Sequence, residues 1–130
     1  MKLAIATILL ALATVAGAQT VTVPQATTYS VALSWTAPAG CTAAAPCTYA
    51  VYRVPGTVTI TAGLTGATLV TTTASQTVTA SDNSVSSGQT YSYAIETIQA
   101  GANSGPSSTV TVSIPFVPSA PSGVTGSVVP

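Results

Sequence analysis

The stretch Thr90-Tyr-Ser-Tyr-Ala-Ile-Glu-Thr-Ile98 carries the longest strand-like pattern in the chain and decides the fold class. Its large apolar side chains alternate with small or polar ones, which puts Tyr91, Tyr93 and Ile95 on one face. Alternation with a period of two is typical of a β-strand that buries one face and leaves the other in solvent. On this pattern Ser92 and Glu96 lie on the solvent face.

Shorter segments of the same kind precede and follow this strand, with turn-forming residues between them. They are residues 20–23, 30–35, 49–53, 67–73, 76–80 and 109–114. The Thr-rich region 57–73 is ambiguous, because Val58 and Ile60 also alternate with threonine, and Asp82-Asn83 is predicted to form a turn. About seven short strands without a helix-period stripe predict an all-β protein, a sandwich of antiparallel strands.

Residues 1–18 have the three parts of a secretory signal peptide. Lys2 supplies the positive charge, residues 3–15 form an apolar run, and Ala16-Gly17-Ala18 supplies the small side chains of a cleavage site. The apolar run is shorter than the roughly 20 residues that a membrane-spanning helix needs. We therefore expect residues 1–18 to be removed and the protein to be secreted, either extracellular or periplasmic.

The two cysteines of the chain, Cys41 and Cys47, are expected to form a disulfide, because exported proteins oxidise such pairs. The bond closes a short loop, so the chain-entropy model gives it about 2 kcal/mol. A redox or metal role is the alternative. It is disfavoured because the C-x5-C spacing differs from the C-x-x-C of oxidoreductases and no further ligand is at hand.

After signal cleavage the charged side chains are Arg53, Asp82 and Glu96, and the chain has no histidine. This composition disfavours binding to nucleic acid or to an anionic membrane, and it disfavours a metal site. No histidine can activate a serine, and nothing in the pattern brings the two acids together as a catalytic pair. We therefore expect no catalytic residues, cofactors or metals. Both acids are expected to solubilise the surface, and Arg53 is predicted to pair with Glu96 on a neighbouring strand.

Several of these segments resemble the strands of a fibronectin type III domain. Val31-Ala-Leu-Ser-Trp-Thr-Ala-Pro38 resembles its second strand, with Trp35 as the core tryptophan, and Tyr49-Ala-Val-Tyr-Arg53 is similar to its third. Gly88-Gln-Thr-Tyr91 resembles the turn and corner tyrosine that open its sixth strand. The resemblance covers residues 20–114 and implies an immunoglobulin-like sandwich of about seven antiparallel strands. It also implies a single secreted module of bacterial type, with Trp35, Tyr49 and Tyr91 in its core and corner.

The resemblance also implies where a partner would bind. The loops 41–47 and 100–107 would follow the second and sixth strands, so they are expected to lie at the same end of the sandwich. Tyr52 alternates with Tyr49 and is expected to face outward, where it would form a candidate contact surface with Tyr29.

Residues 115–130 are rich in proline, serine, glycine and valine and are predicted to be an extended tail. They can also be interpreted as the start of a truncated further repeat, because Pro118-Ser-Ala-Pro-Ser-Gly-Val-Thr-Gly126 resembles the linker and first strand of another such domain. A third interpretation is that residues 124–129 pair with a sheet edge of a neighbouring molecule.

The family implies extracellular interaction modules. We expect a non-catalytic module for structural or adhesive contacts with a protein or polysaccharide at the cell surface, without membrane insertion after signal cleavage. The alternatives are a self-assembling surface or filament subunit that uses the tail for strand addition, and a carbohydrate-binding accessory module. A small hydrolase acting through Glu96 is the least favoured hypothesis.

Overall fold

The computed structural model describes residues 28–63 and 65–130, so the predicted signal peptide (residues 1–18) and the predicted strand 20–23 lie outside the described residues. The described part consists of strands, turns and loops, and no helix in it could cross a membrane. Its strands are β1 (Tyr29–Ser34), β2 (Thr48–Pro55), β3 (Thr68–Thr72), β4 (Thr79–Val85), β5 (Thr90–Gln99), β6 (Ala102–Asn103) and β7 (Val110–Ser113).

The strands form two antiparallel sheets packed face to face. One sheet has two strands, β1 and β4, and the other has five. In the larger sheet β3 pairs with β2 and β2 pairs with β5, while both β6 and β7 pair with β5 on its other side. The predicted all-β antiparallel sandwich is confirmed.

The core lies between the sheets and is built from the alternating side chains that the sequence pattern indicated. Its buried members are Val31, Val51, Tyr91, Tyr93 and Ile114. In the pairing of β2 with β5, Val51 lies opposite Ile95 and Arg53 lies opposite Tyr93. Residues directly opposite each other in a ladder point to the same face of the sheet. Arg53 therefore points into the sandwich.

The fourth strand differs from its predicted position. β4 begins at Thr79 and continues to Val85, whereas the prediction ended a strand at residue 80 and placed a turn at Asp82-Asn83. Asp82 instead lies within the strand, opposite Val31 of β1. Its turn-forming tendency is overridden because its carboxylate is bonded inside the sandwich. The turn that follows β4 lies later than predicted, at Ser87-Gly88, where Gly88 has a φ of 73°.

The ambiguous region after Gly56 forms no strand at residues 57–61 and lies against the outer face of the five-stranded sheet. The Val58 backbone N–H donates to Ser92 Oγ at 3.0 Å, and the Ile60 N–H donates to Thr109 Oγ1 at 2.9 Å. Ser92 lies on the outer face as predicted, but it is fully buried rather than solvated. The prediction that Ser92 faces solvent was wrong because residues 57–61 cover it, and this segment does not pair in the sheet.

Candidate functional site

The disulfide loop is a short exposed turn at one end of the sandwich. Cys41 and Cys47 are disulfide-bonded with their Cα atoms 5.4 Å apart, which confirms the predicted bond. Inside the loop the Thr42 N–H donates to the Ala45 carbonyl at 3.1 Å, and the Ala45 N–H donates back to the Thr42 carbonyl at 3.1 Å. These bonds fix the loop internally and leave its apex, residues 42–46, exposed and uncharged.

Two glutamine side chains tie this loop to its neighbours. Gln99 Nε2, at the end of β5, donates to the Gly40 carbonyl at 3.0 Å and to the Ala45 carbonyl at 2.9 Å. On the other side the Cys47 N–H donates to Gln76 Oε1 at 3.0 Å, and the Gln76 N–H donates to the Cys47 carbonyl at 2.8 Å. Three loops, residues 40–47, 73–78 and 99–107, thus form one joined surface that we call the loop end.

The expectation that loops 41–47 and 100–107 lie at the same end agrees with the Gln99 bonds. The contribution of the loop around Gln76 was missed. No local pattern marks Gln76 or Gln99 as a bridging residue, because their partners are 29 and 54 or more positions away in the chain.

A groove of about 560 Å³ opens beside the loop end, and we call it the edge groove. It lies between the last residues of β1 and the segment that joins β6 to β7. Its apolar wall includes Trp35, Ile95 and Val110, its polar groups are mainly serine and threonine hydroxyls, and no charged side chain lines it. The rings of Trp35 and Tyr49 meet edge to face there, with centroids 5.3 Å apart.

Two residues that line the groove each carry a buried polar atom without a hydrogen-bond partner among the described residues. These atoms are Trp35 Nε1 and the hydroxyl of Tyr49. Buried polar groups in proteins are nearly always bonded, and an unpaired one costs about 1–3 kcal/mol.

A polar cluster crosses the sandwich from β2 to β4. Arg53 Nη1 contacts Asp82 Oδ2 at 2.7 Å, and the two side chains are 17% and 1% exposed. Asp82 also accepts from the Ser84 N–H at 2.9 Å, from Ser84 Oγ at 2.6 Å and from the Tyr93 hydroxyl at 3.0 Å. The carboxylate is thus fully bonded inside the molecule, and the cluster fastens one sheet to the other.

The bonds of this cluster set two pKa values. Burial by itself raises the pKa of the Asp82 carboxyl, but the hydrogen bonds from Ser84, Arg53 and Tyr93 outweigh it and hold that pKa below its ordinary value of 3.8. Burial, together with the neighbouring carboxylate, raises the pKa of the Tyr93 hydroxyl. Asp82 is therefore held ionised. Its carboxylate is bonded to other residues of the sandwich, so its role is structural.

Two predictions about the charged residues were wrong. Asp82 is not a surface group, and the partner of Arg53 is Asp82 rather than Glu96. Arg53 cannot pair with Glu96 because the two side chains lie on opposite faces of the large sheet. Glu96 lies opposite Ala50 on the outer face, whereas Arg53 points inward. The same geometry separates the two acids, since Asp82 lies within the sandwich and Glu96 lies on its outside.

The aromatic residues singled out in the sequence occupy different places. The Tyr91 hydroxyl accepts from the Ser86 N–H at 3.1 Å, the contact expected of a corner tyrosine. Tyr49 is fully buried, and Trp35 is half-buried against the core cluster. Tyr29 packs against the core cluster from β1, while Tyr52 lies on the outer face of the other sheet. The structure therefore does not join Tyr29 and Tyr52 into one contact surface.

Across residues 28–63 and 65–130 no group of three or more His, Cys, Asp or Glu side chains is placed to hold a metal ion. A further pocket of about 190 Å³ lies beside Tyr52 and Glu96 on the outer face of the large sheet.

Comparison with known proteins identifies the fold. One solved structure, described as the solution structure of a human fourth FNIII domain, superposes with a TM-score of 0.54 at 21% identity. The match covers 72% of this chain and 72% of that chain. The fold is that of an FNIII domain. No family model and no curated protein matches the sequence.

Proposed function

We propose that the chain is a secreted, non-catalytic FNIII-like module that binds a protein or glycan at the cell surface through its loop end. The observation that carries this proposal is the set of hydrogen bonds from Gln99 and Gln76, which hold three loops as one exposed surface. A surface ordered before binding loses less conformational entropy when a partner docks. Its lack of charge favours a neutral partner.

Two features support secretion. A disulfide persists in oxidising compartments, and the N-terminal residues 1–18 have the pattern of a signal peptide. Expression in a bacterial host with the leader intact tests this part. Secretion predicts that the chain in the periplasm or medium begins at Gln19, as read by N-terminal sequencing. A cytoplasmic chain that still begins at Met1 would contradict it.

Binding through the loop end is tested with two matched substitutions. Ala44→Arg places a charge at the exposed apex of the disulfide loop, and Ala62→Arg places the same charge on an exposed turn outside the loop end. The probes are insoluble neutral polysaccharides and whole cells of the species that produces the protein. We expect retention that is reduced at least tenfold by Ala44→Arg and is unchanged by Ala62→Arg. Equal retention of both variants would remove the loop end from the proposal.

A carbohydrate-binding accessory role has one observation of its own. Tyr52, Glu96 and Ile60 line the 190 Å³ pocket on the outer face of the large sheet. An aromatic ring beside a carboxylate is suited to a sugar, because the ring packs against the C–H face and the carboxylate accepts from hydroxyls. If this pocket is the site, Tyr52→Ala abolishes polysaccharide retention and Ala44→Arg does not. The two variants therefore separate the two surfaces.

A further inference from the structure

Glu96 carries an isolated negative charge. The acids of the chain are Asp82 and Glu96, and its cationic side chains are Arg53 and Lys2, the latter in the predicted signal peptide. Arg53 and Asp82 neutralise each other within the sandwich, where their side chains meet at 2.7 Å. In the described part of the chain Glu96 is therefore the charged side chain that no ion pair balances. A cation that approaches it meets no lysine or arginine to repel it.

The register of β2 and β5 places the ring of Tyr52 next to this carboxylate. On the outer face of the large sheet Tyr52 lies opposite Ala94, and Glu96 lies opposite Ala50. Side chains that are diagonal across two strands reach each other when they are long or aromatic. Ala50 and Ala94 are buried and short, so Tyr52 and Glu96 extend beyond them. An aromatic ring and a carboxylate thus share one part of the outer face.

The 190 Å³ pocket beside these two side chains is also lined by the loop 56–67, which joins β2 to β3, and by Pro106. Ile60 of this loop is 6% exposed, and its N–H donates to Thr109 Oγ1 at 2.9 Å, so this part of the lining is held in place. The volume is below the roughly 300–1,000 Å³ of sites for drug-sized ligands. It is suited to one ring unit of a larger ligand.

The ring and the carboxylate together favour a ligand that carries a positive charge beside an apolar face. A carboxylate accepts stronger hydrogen bonds from an ammonium group than from a neutral hydroxyl. The face of a tyrosine ring attracts a cation and packs against C–H groups. The Asn103 side-chain amide lies 3.5 Å from Glu96 Oε2 on the neighbouring strand β6, so the carboxylate has a polar neighbour without a charge.

An amino sugar with a free amine presents both features on one rigid ring. A lysine side chain presents them on a flexible stem, which loses rotamer freedom when it is held. The rigid ring therefore loses less conformational entropy on binding, and this difference favours the sugar over a protein side chain.

We propose that the pocket beside Tyr52 and Glu96 binds an unacetylated hexosamine unit of a polysaccharide, with the ammonium group on the Glu96 carboxylate and the C–H face of the sugar on the Tyr52 ring. This inference rests on the carbohydrate-binding accessory role given above as the second candidate function. It adds selection by charge: the pocket distinguishes a free amine from its acetylated, neutral form. The loop end takes no part in it.

Isothermal titration calorimetry with two trisaccharides of β-1,4-linked glucosamine tests the proposal. One trisaccharide has free amines, and the other is N-acetylated, with the same rings and no charge. At pH 6, where free amines are protonated, we expect the charged form to bind at least tenfold more tightly to the secreted chain. Tyr52→Ala should weaken the binding of the charged form at least tenfold.

Glu96→Gln should reduce the preference for the charged form to about onefold. The double variant Glu96→Gln/Gln89→Glu is the matched control, because it restores the net charge at an exposed position outside the pocket. It should not restore the preference. Circular dichroism melts verify that the variants are folded.

The other outcomes overturn the proposal in distinguishable ways. Equal affinity for both trisaccharides removes the selection by charge and leaves the accessory role standing, whereas binding of neither removes both. A preference that survives Glu96→Gln, or returns in the double variant, shows that the charge is not recognised in this pocket. A capped lysine peptide that binds as tightly as the charged trisaccharide assigns the pocket to a protein partner instead. Binding that is gained only after Leu64→Ala shows that this leucine, which lies outside the described residues, fills the pocket.

Discussion

Replacing Asp82 by asparagine tests whether the inter-sheet ion pair holds the sandwich together. The side chain of Asp82 is nearly inaccessible and receives four hydrogen bonds, one of them from the Arg53 guanidinium at 2.7 Å. Removing one member of a buried pair leaves the other charge uncompensated and costs about 3–5 kcal/mol. Since Arg53 retains some access to water, we expect the lower end, about 3 kcal/mol, for Asp82→Asn at pH 7.

The pH dependence of this loss has a defined sign. The pKa of Asp82 is lowered in the folded protein, so its ionisation stabilises the fold above the ordinary value of 3.8. That contribution is lost as the pH falls below 3.8 through the folded pKa. The difference in free energy of unfolding between the unaltered chain and Asp82→Asn should therefore be constant from pH 7 to pH 5 and shrink below pH 4.

Urea denaturation followed by tyrosine and tryptophan fluorescence measures these differences. Glu96→Gln is the matched control, because it makes the same acid-to-amide change on the outer face and is expected to cost less than about 0.5 kcal/mol. In the double variant Arg53→Met/Asp82→Leu no charge is left buried alone, so most of the loss should be recovered. A loss below about 1 kcal/mol for Asp82→Asn, or a difference that does not change down to pH 2, would refute the reasoning.

Three further variants test other parts of the fold. The double variant Cys41→Ser/Cys47→Ser should lower the free energy of unfolding by about 2 kcal/mol, and reductant should reproduce the loss in the unaltered chain but not in the variant. Tyr91→Phe removes the acceptor of the Ser86 N–H and should cost about 1 kcal/mol, measured by urea denaturation. Gly88→Ala should cost about 1 kcal/mol or more in thermal melts, because Gly88 has a φ of 73° and its Cβ would lie 3.2 Å from Phe116. Gly105→Ala, with open space around it and no positive φ, should change little.

The strands β1, β2, β5 and β7 could be predicted because their signal is local. In β5 the alternation of Tyr91, Ser92 and Tyr93 depends only on the pleat of an extended chain, which sends neighbouring side chains to opposite faces. The disulfide could be predicted as well, because a chain with two cysteines has one possible pairing. The extent of β4 could not be predicted in this way. β4 continues three residues beyond Asp82 because of bonds that Asp82 makes across the sandwich.

The candidate site was only partly predictable for the same reason. The rule that alternate loops of a sandwich meet at one end indicated the loops 41–47 and 100–107. The glutamine bonds that join the three loops of the loop end link residues far apart in the chain. The burial of the Trp35 and Tyr49 polar atoms likewise depends on distant segments. No single-sequence pattern specifies such pairs.

The amino-acid sequence by itself determined that this chain forms strands, which side of most strands is apolar, and which cysteines are joined. The tertiary structure alone decided that Asp82 is internal, that Ser92 is covered, and that Trp35 and Tyr49 meet edge to face in the edge groove. The physical reason is that side-chain direction follows from the backbone of each residue and its neighbours. Burial and charge pairing follow from what a distant segment brings to that side chain.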